Sequence, residues 1–196
     1  MNTKENIRIM AADNLLIFKM IYKDELTKAM KMLAENEKVL FLGQTVSYPG
    51  SAMYKSLENI LESKKIELPI IEDTQLGMSI GLNLAGYIPV SVFPRFDFLL
   101  CATNQLVNHL DKIEEMSNYQ FNPKVIIRTA VGSKQPLYPG LQHCSDYTEG
   151  FKKMLKNVEV IALEKPEEIV PAYRKALMKK GSSLLIEYSD LYNLQS

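Results

Sequence analysis

The sequence predicts an α/β domain, a mostly parallel sheet covered by helices on both faces. Three observations predict it. Apolar runs of strand length alternate along the chain with segments of helical periodicity. The runs are apolar at nearly every position, as strands buried on both faces require. The chain has 196 residues, 46% of them hydrophobic, which suits one domain with a full core and no staples.

The elements follow in order. Residues 1–20 read as an extension and residues 21–196 as the domain. Asp24 to Glu35 is amphipathic, with Leu26, Ala29, Met30 and Leu33 on one face, and Asn36 and Glu37 break it. Lys38 to Gly43 is a buried-type strand ending on glycine. Tyr48-Pro49-Gly50 is a turn, and a helix capped by Ser51 is expected over Ser51 to Ser63. Leu68 to Ile71 reads as a short strand that runs into a helix from Glu72 to Ala85. Ile88 to Phe93 is a strand, and Phe96 to Met116 carries one long helical pattern. Lys124 to Arg128 is the next strand, followed by a Gly/Pro-rich loop from Gly132 to His143. Tyr147 to Leu155 is a short helix and Val158 to Ala162 a strand. Pro166 to Lys180 is a helix with proline in its first turn, Gly181 stops it, and Leu184 to Glu187 is the last strand. Ligands of such sheets bind beyond the carboxyl ends of the strands. That rule gathers the Gly43 turn, Glu72 and the loop leading to His143 on one rim.

Composition excludes several classes. Lys plus Arg equals Asp plus Glu at 23 each, which gives no electrostatic case for nucleic acid or an anionic membrane. Leu15 to Lys19 is too short and too interrupted for a signal peptide, and nothing approaches the roughly 20 apolar residues of a membrane span. Cys101 and Cys144 have neither metal-type nor redox spacing, so no metal ligands are assigned and a cytoplasmic protein is expected.

The stretch from Leu68 to Pro89 carries the most chemistry. An apolar run ends on Glu72, and a helical pattern follows with Gly77, Gly81 and Ala85 on one face. Each mid-helix glycine costs about 1 kcal/mol relative to alanine, which suggests close approach of another backbone or a flat ligand. Glu72 has two readings: an acid favoured by the helix dipole together with Asp73, or a carboxylate that shares a proton with a ligand nitrogen. Gly77-Met78-Ser79-Ile80-Gly81 matches the nucleophile elbow of serine hydrolases. The elbow needs a strand running directly into the serine, and Ser79 falls inside a helical pattern instead. His143 follows the Gly/Pro-rich loop, a better functional position than that of His109 in mid-helix. Phe93, Phe96 and Phe98 serve either core packing or stacking on a heteroaromatic ligand. No Walker loop, dinucleotide glycine fingerprint, HExxH or paired-cysteine zinc motif occurs.

These motifs, in this order from about Tyr22 to Tyr192, resemble the pyrimidine-binding domain of transketolase-like thiamine diphosphate enzymes. The beta subunit of pyruvate and branched-chain 2-oxo acid dehydrogenases is the particular likeness. The residues that carry it are Glu37 to Gly43, Pro69 to Glu72 with Gly77, Gly81 and Ala85 to Pro89, Phe96-Asp97-Phe98, Asn104 to Lys112, Gln142-His143 and the closing strands. The resemblance implies that Glu72 hydrogen-bonds the ring nitrogen of the aminopyrimidine and that Phe98 packs on that ring. Ile70 and Gln142 would contact the cofactor, and His143 the substrate. It also implies that the diphosphate and its Mg2+ are held by an alpha-type partner with a Gly-Asp-Gly motif, which this chain lacks. The expected assembly is two copies of each subunit. The expected reaction breaks or makes a carbon–carbon bond next to a carbonyl, in a 2-oxo acid or a ketose. Gln44 stands where the family commonly has an acid, and Asn104 where it has aspartate. The sequence ends at Ser196, where family members continue into a further domain, so a compact two-subunit enzyme is expected. A non-catalytic scaffolding relative is the alternative, with a Ser79 hydrolase behind it.

Overall fold

The computed structural model describes residues 20–135 and 138–192. The extension expected over residues 1–20 therefore lies outside the described residues, apart from Met20. Strands β1 (Val39–Gly43), β2 (Lys65–Glu67), β3 (Ile88–Phe93), β4 (Ile126–Val131), β5 (Glu159–Ala162) and β6 (Ser183–Tyr188) form one sheet. Their order is β2-β1-β3-β4-β6-β5, and every neighbouring pair is parallel. The chain moves from β1 outward to β2 and then back across to β3, so the gap between β1 and β3 is a topological switch point.

The helices are α1 (Tyr22–Ala34), α2 (Glu72–Leu84), α3 (Phe96–Leu99), α4 (Ile113–Met116), α5 (Thr148–Met154) and α6 (Pro166–Met178). Side chains alternate across β4. Ile126 and Ala130 join the core beneath α1 and α6, while Ile127 and Val131 join the one beneath α2 and α3. Two apolar cores on opposite faces explain why the strands read as continuous hydrophobic runs. Among the described residues, no helix is long and apolar enough to cross a membrane.

Three local expectations are corrected. The helix expected over Ser51–Ser63 is replaced by two short 3-10 segments, Ala52–Ser56 and Glu62–Lys64. Its intended cap is spent elsewhere, since the Ser51 hydroxyl accepts from Thr45 Oγ1 at 2.7 Å. The strand expected over Leu68–Ile71 lies earlier, at Lys65–Glu67. Pro69 has no N–H to give to a ladder, and Ile70 and Ile71 sit exposed on the rim. The long helix over Phe96–Met116 is a succession of windings: α3, a 3-10 turn at Leu100–Ala102, a π segment at Gln105–Leu110, then α4. The buried positions Leu99, Ala102, Leu106 and Leu110 stay on one side throughout.

Among the described residues, nothing crowds the small-residue face of α2. A Cβ added at Gly81 would meet nothing within 4 Å, and one at Gly77 would meet only Gln105, at 3.7 Å. Gly81→Ala is therefore expected to stabilise the isolated chain by about 1 kcal/mol, its helix propensity gain. Urea unfolding of the two proteins checks this, and a loss of stability would contradict it.

Candidate active site

Glu72 opens α2 at the carboxyl rim of the sheet and is only 8% exposed. Among the described residues, one hydrogen bond reaches its carboxylate, from Gln44 Nε2 to Oε1 at 3.0 Å. Gln44 is the residue after β1, so the two groups meet across the end of the sheet. An acid at position 44 would have set two carboxylates together. The glutamine supplies a donor instead.

The turn that carries Gln44 is held from several sides. Gly43 has φ +145°, and a Cβ there would fall 2.2 Å from the Val92 carbonyl oxygen. The Glu67 carboxylate, at the end of β2, accepts the backbone N–H groups of Thr45, Val46 and Ser47 at 2.6, 2.8 and 2.9 Å. One acid thus satisfies a whole turn of otherwise orphaned donors. One turn on from Glu72, the buried Gln75 amide donates to Ser91 Oγ and to the Val92 carbonyl, both at 3.0 Å. That side chain pins the start of α2 to β3 at the switch point.

A second group of candidate residues lies after β3 and β4. The Phe98 ring meets the His143 ring edge to face, with centroids 5.7 Å apart and planes at 82°. Phe98, Gln142 and His143 line one cleft of about 480 Å3 together with Asp97, Cys101 and Tyr147. Asp97 ties the His143 loop to α3 by accepting from the Ser145 N–H at 3.3 Å and the Tyr147 hydroxyl at 3.2 Å. The His143 Nδ1 atom is buried and, among the described residues, has no hydrogen-bond partner.

Gly132, just after β4, lets this loop dock. A Cβ there would lie 1.7 Å from the His143 carbonyl oxygen and 2.4 Å from a guanidinium nitrogen of Arg95. Gly132→Ala is expected to push the His143 loop outward and to cost about 1–3 kcal/mol, the range for overpacking. Chemical unfolding would read the cost, and an unchanged midpoint would contradict the close approach.

The candidate residues thus form two groups along one rim. Glu72 sits with Gln44 near the switch point; Phe98, Gln142 and His143 share the neighbouring cleft. Ile70 stands at the Glu72 end with 78% of its surface exposed. Ser79 is fully buried, and its hydroxyl donates to the Gln75 carbonyl one turn back at 2.9 Å. It is no exposed nucleophile, and the hydrolase reading falls. His109 is exposed on the π segment, with Nδ1 2.8 Å from Gln105 Oε1.

Sequence reasoning missed a buried ionic network at the centre of β4. Arg128 and Glu187 are both 0% exposed. Arg128 Nε donates to Glu187 Oε1 at 2.5 Å, and the Tyr173 and Tyr192 hydroxyls each donate to the same carboxylate at 2.9 Å. Burial and the Glu187 charge push both phenols well above the usual tyrosine range, so they stay protonated as donors. Burial opposes the Arg128 charge, and the adjoining Glu187 more than restores it. The network braces β4, the strand that leads into Gly132.

No protein-family model matches the chain. Solved structures of transketolases share its fold. A split-gene transketolase, described as an inactive beta4 tetramer, superposes with TM-score 0.67 at 16% identity, covering 86% of this chain and 51% of that one. The transketolase of Campylobacter jejuni superposes with TM-score 0.70 at 18% identity, covering 87% and 26%. The chain has the transketolase-like α/β fold. Relatives in sequence are pyruvate dehydrogenase E1 component beta subunits. That of Mesostigma viride is 25% identical over 168 residues, covering 84% of this chain and 50% of the relative. A chloroplastic form from Oryza sativa subsp. japonica, beta-4, is 27% identical over 177 residues, covering 88% and 42%. The chain spans about half the length of the curated relatives it matches, or somewhat less. In it, Gln44 and Glu67 are the rim residues whose contacts the sequence alone did not foretell.

Proposed function

We propose that this chain is the pyrimidine-side subunit of a split thiamine diphosphate-dependent enzyme. It acts on a 2-oxo acid or a ketose, breaking or making the carbon–carbon bond next to the carbonyl. The observation that carries the reading is Glu72, a buried carboxylate at the switch point with one hydrogen bond and acceptor capacity to spare. The transketolase fold and the beta-subunit relatives support it.

The residues present fit the coenzyme's pyrimidine end. A carboxylate offers about four acceptor sites, and Gln44 uses one at Oε1. Glu72 would hold a proton between its free oxygen and the ring nitrogen, and Gln44 would keep the carboxylate from rotating away. Phe98 would give the ring an apolar face and exclude water from it, while Ile70 and Gln142 would close over its edges. His143, with Nδ1 unspent, would move or hold a proton at the substrate oxygen. Thiamine diphosphate, when bound, supplies an electron sink beside the substrate carbonyl.

Among the described residues, no group of three or more His, Cys, Asp or Glu could hold a metal ion. In this reading, as the resemblance to the beta subunits implies, the diphosphate and Mg2+ are held by an alpha-type partner carrying Gly-Asp-Gly, in an assembly of two copies of each. The cytoplasm is the compartment of this reading, and the two unpaired cysteines, Cys101 and Cys144, support it. Calorimetric titration of the co-expressed pair with thiamine diphosphate and Mg2+ tests the proposal. A saturable, coenzyme-dependent heat is expected. A flat titration would favour the scaffolding alternative.

A further inference from the structure

The turn after β1 is strained just where it carries Gln44. Thr45 has φ +55°, in the left-handed region. Its side chain is branched at Cβ, and such residues avoid that region because Cβ crowds the backbone. A conformation of this kind persists only where its surroundings impose it. Gly50 packs on the Thr45 methyl so closely that an added Cβ would fall 2.4 Å from Cγ2. The Thr45 hydroxyl donates to Ser51 Oγ at 2.7 Å.

Glu67 supplies the larger constraint. The side chain is half-buried, and its two oxygens share the work. Oε1 accepts the Thr45 N–H at 2.6 Å, while Oε2 accepts those of Val46 and Ser47 at 2.8 and 2.9 Å. Successive N–H groups turned to one point form a concavity suited to an anion, and here a carboxylate of the same chain fills it. The Thr45 N–H belongs to the peptide plane that Gln44 begins. Fixing that plane fixes ψ of Gln44, and side-chain rotamers follow the backbone. On the other side, the Leu68 N–H donates to the Gly43 carbonyl at 2.9 Å, which ties β2 to the start of the turn. Gln44 is thus held on both flanks, and its Nε2 reaches Glu72 Oε1 at 3.0 Å.

We propose that Glu67 is a positioning residue for Glu72, acting through Gln44. It keeps the strained turn in the shape that places the Gln44 amide on Oε1, and so leaves Oε2 as the oxygen offered to a ligand. That the ligand is a coenzyme rests on the thiamine diphosphate reading; the aim of Gln44 does not.

The test has two arms. In the full chain alone, hydrogen exchange of the Gln44 side-chain amide is followed by nuclear magnetic resonance, with the exposed Gln120 as reference. Gln44 should exchange at least about ten-fold more slowly than Gln120, the value of a hydrogen bond to a charged group. Glu67→Gln should abolish that difference. In the co-expressed pair, Glu67→Gln should weaken thiamine diphosphate binding at least about ten-fold by calorimetry. Asp111→Asn is the matched control, because Asp111 also takes three successive backbone N–H groups, those of Lys156, Asn157 and Val158. It should lower stability and leave both readouts unchanged. In a Gln44→Leu background, Glu67→Gln should weaken binding no further, since the effect passes through Gln44. Thermal unfolding checks that each variant folds. Should Glu67→Gln not fold, Glu67→Asp, shorter by one methylene, must show the same losses. An unprotected Gln44 amide in the native chain, equal protection in the folded variant, or a further loss on top of Gln44→Leu would overturn the proposal. A native pair that binds no coenzyme would remove the thiamine diphosphate reading instead, and the exchange arm would still decide whether Glu67 aims Gln44.

Discussion

Glu72→Gln is expected to cut turnover of the assembled enzyme at least about 100-fold, the low end of the contribution from a lost acid–base group. The substitution is nearly isosteric. The amide oxygen can still accept from Gln44 Nε2, which reaches Oε1 at 3.0 Å in the native chain. The fold should therefore persist, with stability within about 0.5 kcal/mol. What is lost is a carboxylate able to hold a proton against the ring nitrogen. Steady-state kinetics of the variant with its partner is the measurement, with unfolding run beside it. Activity close to wild type would remove Glu72 from the chemistry.

The second large effect concerns stability. Glu187→Ala is expected to cost about 3–5 kcal/mol, because it strands a buried guanidinium without its counter-charge. Four donors converge on this carboxylate: Arg128 Nε and Nη2, and the hydroxyls of Tyr173 and Tyr192. Tyr22 extends the brace, donating to the Leu163 carbonyl at 2.6 Å and accepting the Tyr188 N–H at 3.2 Å. The network thus joins α1, α6, β4 and β6. Replacing Arg128 and Glu187 together by methionine should be far milder, since removing both charges also removes their desolvation cost. Equilibrium urea unfolding of the single and double variants reads this contrast. A loss under about 1 kcal/mol for Glu187→Ala alone would show that the pair is not held as described.

Much of the fold was legible because its signals are local. The apolar runs of β1, β3, β4 and β6 are long enough to stand out, and Pro166 with Glu167 and Glu168 marks the start of α6. The start of α2 at Glu72 was readable for the same reason, as an acid at a strand-to-helix turn. Misreadings came where an apolar run has a surface purpose. Leu68 to Ile71 looks like a strand, yet Pro69 interrupts the ladder and Ile70 faces outward. Gly77 and Gly81 suggested close approach, and among the described residues only Gln105 comes near Gly77 and nothing comes near Gly81.

Of the candidate site, the individual residues were readable and their grouping was not. Gln44 and Glu72 are 28 positions apart, and Arg128 and Glu187 59 apart. No periodicity links such pairs, because only the sheet order brings them together. Gly132 was visible as a loop residue. That it makes room for the His143 carbonyl follows from packing alone.

The central claim is that the Glu72 carboxylate holds the pyrimidine ring of thiamine diphosphate across a subunit boundary. A crystal structure of the co-expressed pair with thiamine diphosphate and Mg2+ tests it most directly. The prediction is a Glu72 carboxylate oxygen about 2.6–3.2 Å from the pyrimidine ring nitrogen, with Gln44 still bonded to the other oxygen. A coenzyme bound elsewhere, or a Glu72 side chain turned to solvent beside an occupied site, would contradict it.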